Sequence, residues 1–168
     1  MSFLDILSKY AANPQPQPET VNHFDEVART APPASLGNAI TSMFKSNDTP
    51  PFGQAVGSLF SQSNPQQRAG VLNQIVQSLG PAALGAGGGI LSRMLGSGNS
   101  AGAVPNLTPE QASQVSPEDV NVLATHAEQQ HPSIVDRVGS FYAQHPTLVK
   151  TLGVGALAVA MSHMNRQA

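Results

Sequence analysis

A nonapeptide that occurs twice constrains this chain more than any other feature. His131-Pro-Ser-Ile-Val-Asp-Arg-Val-Gly139 returns fourteen residues later as His145-Pro-Thr-Leu-Val-Lys-Thr-Leu-Gly153, with His, Pro, Val and Gly at matching offsets. Proline has a fixed φ and no amide hydrogen, so it suits the first helical position and pushes the residue before it toward extended backbone. Each copy therefore reads as a break followed by a helix start. Ile134, Val135, Val138 and Phe141 follow Pro132 at helical spacing, and Leu148, Val149, Leu152 and Leu157 follow Pro146 in the same way. Two antiparallel or steeply angled helices are predicted. Upstream, Ser116-Pro117-Glu118-Asp119 supplies a capping hydroxyl, a proline at the first position and acids in the first turn. Val120, Leu123, Ala124 and Ala127 then mark a third apolar face.

A second repeat lies nearer the N-terminus. Leu36-Gly-Asn-Ala-Ile-Thr-Ser-Met-Phe44 is matched sixteen residues on by Phe52-Gly-Gln-Ala-Val-Gly-Ser-Leu-Phe60, each copy preceded by a double proline, Pro32-Pro33 or Pro50-Pro51. The spacing predicts duplicated short helices stacked as hairpins. Between Glu19 and Ala31, Val21, Phe24, Val27 and Ala28 form another helical face, with Thr20 as the expected cap. Asn64-Pro65 opens a further helix whose buried side is Val71, Leu72, Ile75, Val76 and Leu79, and Gly80-Pro81 closes it. Residues 80–102 hold eight of the fifteen glycines, which predicts either a hinge or a close helix crossing at Gly87-Gly88-Gly89, with a helix over Ile90 to Leu95. Nowhere does polar and apolar alternation run long enough for a strand. The expected fold is all-α: a multi-helix bundle of short proline-initiated helices around a glycine-rich middle. Its expected divisions are an amphipathic helix at 1–12, a Pro/Gln tether at 13–18, an N-terminal helical unit at 19–96, a flexible linker at 97–106 and a C-terminal helical unit at 107–168.

Composition excludes several function classes. The chain has 168 residues, no cysteine, a formal net charge of −2 and 11% charged residues, against about 25% in an ordinary soluble domain. Disulfide frameworks and thiolate zinc sites are ruled out. No basic stripe exists to follow a phosphate backbone, so nucleic acid is not an expected partner. So little charge does not keep copies of a protein apart. The opening Met1-Ser-Phe-Leu-Asp-Ile-Leu-Ser-Lys-Tyr10 has too short an apolar core for a secretory signal, and the most apolar window, Thr147 to Met164, falls short of a bilayer span, so a cytoplasmic location is expected.

Chemistry-bearing residues are few and scattered. His126, Glu128 and His131 lack the spacing of a zinc-protease helix, and Gly85-Ala-Gly-Gly-Gly89 lacks the lysine and hydroxyl of a phosphate loop. Asp136 and Arg137 read as a solvated face, and the two His-Pro histidines as turn-stabilising groups. No catalytic residue, metal ligand, cofactor or specific small molecule is inferred.

The opening Phe3-Leu-Asp-Ile-Leu7, the glycine-rich middle, Leu107-Thr-Pro-Glu-Gln111, Ser116-Pro-Glu-Asp-Val120 and Pro132-Ser-Ile-Val-Asp-Arg137 together resemble the YidB-like, DUF937-type group of uncharacterised bacterial proteins. The resemblance implies an all-helical bacterial protein and brings no functional residues with it. From the residues themselves, the expected role is a non-enzymatic structural or interaction protein that self-associates into a homo-oligomer, a filament or other extended assembly. Phe3, Leu4, Ile6, Leu7 and Tyr10 would form an arm that docks in trans, and Gly153, Ala156 and Ala160 a small-residue stripe for helix contact. Two alternatives stand beside it: a peripheral membrane protein using helix 2–12 on a membrane surface, and a small helical ligand carrier or enzyme.

Overall fold

In the computed structural model, residues 2–13, 15–80 and 106–167 are described. The regular structure among them is entirely helical: α1 (Phe3–Ala12), α2 (Thr20–Thr30), α3 (Pro33–Lys45), α4 (Phe52–Gln62), α5 (Pro65–Leu79), α6 (Pro109–Ser113), α7 (Pro117–Gln130), α8 (Ile134–Ala143), α9 (Pro146–Val149), a 3-10 turn (Lys150–Leu152) and α10 (Val154–Gln167). The protein is an all-α multi-helix bundle. The expected helix over 90–95, the triple glycine and all of the 97–106 linker but Asn106 lie outside the described residues.

Proline and capping chemistry set the boundaries. Five helices (α3, α5, α6, α7 and α9) start on proline. The side chains of Asn64, Thr108 and Ser116 accept the backbone N–H of Gln67, Gln111 and Asp119, satisfying donors that a helix start leaves open. At the other end of α4, Arg68 donates to the carbonyls of Phe60 and Ser61 at 3.1 and 3.2 Å while its guanidinium lies over the Phe60 ring. Gly80 stops α5 with φ +59°, a conformation open to glycine and costly for other residues.

Two expectations are corrected. The apolar run after Pro146 does not continue as one helix. The chain tightens into the 3-10 turn, and Gly153, at φ +98°, breaks it before α10 begins. Thr20 is not the cap of α2. It is the first helical residue, and Glu19 occupies the cap position without a side-chain bond, because the Thr20 hydroxyl is turned toward Gln17 and Tyr10.

The described chain divides into two compact units, 1–51 with 139–168 and 52–138, and the boundary after Val138 falls inside α8. The expected 19–96 unit is thus split, α2 and α3 going to one unit, α4 and α5 to the other. In the first unit, α10 is central. Ala156, Leu157, Ala158, Val159, Ala160, Met161 and Met164 are all buried, and α1, α2 and α3 pack against the helix. Lys150 and Asp25 add an ion pair of 2.8 Å between the 3-10 turn and α2. In the second unit, α4 packs along α7, and α5 packs on α6 and α7, around Phe52, Leu59, Phe60, Leu72, Ile75 and Leu123.

The His-Pro repeat keeps its start but not its end, since Gly139 lies within α8 whereas Gly153 breaks the helix. His131 and His145 have nearly the same backbone angles (φ −139°, ψ 82° and φ −130°, ψ 59°), and their carbonyls accept the N–H of the residue three further on, Ile134 and Leu148, at 2.9 and 3.0 Å. The earlier repeat is deployed as crossings. Gly37 of α3 packs against Ser140 and Ala143 of α8, within the first unit. Its counterpart Gly53 of α4 meets Asn121 and Thr125 of α7, within the second. Each copy therefore finds its partner in the C-terminal part of the chain. The pairing is nested in sequence: the second copy pairs with the helix before the first His-Pro, the first copy with the helix before the second.

Candidate functional site

The residues that combine chemistry with an unusual mode of attachment gather at α1, in the first unit. Ser2 caps this helix: its hydroxyl receives the Asp5 N–H at 3.4 Å and donates to the Asp5 carboxylate at 2.8 Å, and its own N–H reaches that carboxylate at 3.2 Å. These bonds hold the Asp5 carboxyl below its ordinary pKa, the side-chain bond to Ser2 contributing most. Lys9 sits in the last turn, where a cation complements the exposed carbonyls.

A ten-residue helix is marginal in water by itself, so docking must hold it. Ile6, Leu7 and Tyr10 are buried, each worth about 2 kcal/mol in apolar transfer, while α1 packs on α10 and α2. Leu4 is 60% exposed. The side chain of Phe3 lies outside the described residues. On the receiving side, Ala156 and Ala160 are buried in the unit's core, where small side chains let neighbouring helices approach, whereas Gly153 is exposed and serves as the break before α10. The arm thus packs, within one chain, on the helix that carries Ala156 and Ala160.

Tyr10 fastens that seam. Its hydroxyl lies 3.0 Å from Thr20 Oγ1 and 3.0 Å from His23 Nδ1, and the two rings meet edge-on with centroids 5.8 Å apart. Thr20 Oγ1 also accepts the Gln17 N–H at 2.8 Å, and His23 Nε2 faces the Glu19 carboxylate at 3.8 Å. One phenolic proton serves two neighbours. When it goes to Thr20, His23 presents an Nδ1–H to the tyrosine oxygen; when it goes to His23, Thr20 donates to that oxygen. Nothing in the sequence flagged His23, because a partner thirteen residues away has no local signature.

Beside the seam lies a cleft of about 460 Å³. The end of α1 and the tether form one wall with Tyr10 and Gln15, α10 forms another with Ser162, His163 and Arg166, and Asp48 borders it from the segment after α3. Apart from Tyr10, these lining residues went unread in the sequence, since they are brought together from separate segments. Among the described residues, no three His, Asp or Glu side chains gather as a metal set, and no helix is long and apolar enough to cross a membrane. No protein family, curated protein or solved structure matches the chain.

Proposed function

We propose that this chain is a non-enzymatic structural protein that self-associates by exchanging α1 between copies. The observation that carries the reading is the attachment of α1: an apolar seam on the body, followed by a Pro/Gln tether in which Asn13, Gln15, Pro16 and Pro18 are exposed. A second copy offers α1 the same seam, the same Tyr10 partners and the same burial, so exchange changes no contact and its balance is set by concentration and the tether. Residues 13–19, extended at about 3.1 Å each, reach roughly 20 Å. Reciprocal exchange closes a dimer, and run-on exchange propagates a filament. Low charge density favours the approach of copies. Kinship with the YidB-like group and a cytoplasmic setting belong to the same proposal, supported by the sequence features given above.

Light scattering on size-fractionated protein across a concentration series tests it. Particle mass should rise with concentration for the full chain and stay monomeric when residues 1–12 are deleted. In a mixing experiment, Leu7→Asp (spoiled arm, intact seam) and Ala160→Trp (intact arm, spoiled seam) should form a mixed species that neither forms alone. A monomer at every concentration, unchanged by the deletion, ends the reading.

A further inference from the structure

We propose that the cleft beside α1 binds a short zwitterionic peptide, of about dipeptide size, and that filling it locks α1 in its docked position. The volume of about 460 Å³ falls within the range of small-molecule sites, roughly 300–1,000 Å³. Two opposite charges border it, Asp48 and Arg166, and among the described residues neither has an ion-pair partner, including each other. A simple anion drawn to Arg166 would face the Asp48 carboxylate, and a simple cation drawn to Asp48 would face the guanidinium. A ligand carrying both signs satisfies both. The planar fork of Arg166 suits a carboxylate, and Asp48 an ammonium group. The segment bearing Asp48 is held by its own N–H, which donates to Ser46 Oγ at 3.1 Å. Gln15, Ser162 and His163 also line the cleft and offer donors and acceptors for a peptide bond, and Tyr10 with Val159 adds apolar lining.

Coupling to α1 follows from which residues form the walls. Tyr10, Ala11 and Gln15 travel with the arm, whereas Ser162, His163 and Arg166 stay on α10, so the complete cleft exists only while α1 is docked. A ligand that binds the docked state alone suppresses undocking by the factor 1 + [L]/Kd, about a hundredfold at one hundred times Kd. The linkage holds whichever copy supplies α1. A monomer that binds the peptide would therefore end the exchange reading and leave this one standing.

Calorimetric titration of the full chain with alanyl-alanine, N-acetyl-alanyl-alanine and alanyl-alanine amide tests the site, and hydrogen exchange of the α1 amides tests the coupling. The dipeptide should bind, each blocked analogue at least about tenfold more weakly. Asp48→Asn should erase the penalty for acetylation and Arg166→Gln the penalty for amidation. Both side chains are exposed, and the fold should survive either change. Exchange in α1 should slow as the dipeptide saturates. No binding at millimolar dipeptide, equal binding of all three compounds, or unchanged α1 exchange at saturation would overturn the proposal.

Discussion

The Tyr10 hydroxyl and His23 Nδ1, 3.0 Å apart, join the last turn of α1 to the first turns of α2, and Thr20 completes the junction on the same hydroxyl. All three side chains are buried, so removing the hydroxyl takes the partner from His23 Nδ1 and one of two from Thr20 Oγ1. Tyr10→Phe should destabilise the chain by about 1–3 kcal/mol in urea unfolding, the usual range for orphaned buried partners. Because the loss is concentrated at the seam, the α1 amides should exchange faster than those of α5 in the same sample. Uniform acceleration across both helices would place the effect in global stability and not in the seam.

Tyr142 is the opposite case. It is fully buried between Phe44 and Phe141, with ring centroids 6.3 and 5.3 Å away, and its hydroxyl has no hydrogen-bond partner among the described residues. An unsatisfied buried hydroxyl is a net penalty, so Tyr142→Phe should be neutral or stabilising by up to about 1 kcal/mol. Burial also raises its pKa well above the ordinary tyrosine value near 10. Below about pH 10 both folded and unfolded chains hold the phenolic proton; above it the unfolded chain releases the proton and the native chain keeps it, so stability falls as pH rises. Stability curves from pH 8 to 12 should decline less steeply in Tyr142→Phe than in the parent. Parallel declines would show that Tyr142 ionises freely.

Helix starts were legible because they are local chemistry. Pro65, Pro117 and Pro146 open helices where the sequence placed them, and Asn64 and Ser116 cap as their side chains allow. Partnership was not legible, because it is set across long separations. The repeat at Leu36 and Phe52 suggested neighbouring hairpin helices, yet Gly37 and Gly53 each meet a helix from much later in the chain. Phe141 fell on the expected apolar face, but the fully buried aromatic is Tyr142, one position on, while Phe141 stacks on His145 at 5.0 Å. The apolar arm and the small residues of α10 were legible as local patterns. The polar junction of Tyr10, Thr20 and His23 and the charges at the cleft required the fold.

The duplicated glycine should be intolerant in the second unit. A Cβ at Gly53 would stand 2.6 Å from the Asn121 carbonyl oxygen, backbone that cannot step aside without moving α7. Gly53→Ala should therefore cost about 1–3 kcal/mol, the scale of overpacking. At Gly155 an added Cβ meets nothing within 4 Å, and the residue lies inside α10. There the helix preference of alanine decides, and Gly155→Ala should stabilise by about 0.5 kcal/mol. Thermal melts of the two variants should shift in opposite directions; a shift of the same sign would contradict the close crossing at Gly53.

Asn73 gives the last case, in the second unit. Its amide nitrogen donates to the Leu107 carbonyl at 3.3 Å and its carbonyl oxygen accepts the Leu107 N–H at 2.7 Å, so one side chain pairs both backbone groups of a buried residue as a strand partner would. Gln77 donates to Asn106 Oδ1 at 2.9 Å, but that pair is exposed. Asn73→Ala should cost about 1–3 kcal/mol and Gln77→Ala less than about 0.5 kcal/mol. Asn73→Asp separates hydrogen bonding from packing: it keeps an acceptor for the Leu107 N–H and turns a second acceptor toward the Leu107 carbonyl. Near neutral pH it should be at least as harmful as alanine despite its nearly identical shape, and the deficit should shrink on acidification, when a protonated carboxyl can donate to that carbonyl. Urea unfolding of the three variants at neutral and acidic pH checks this, and an Asn73→Asp chain as stable as the parent at neutral pH would mean that Leu107 is held by packing alone.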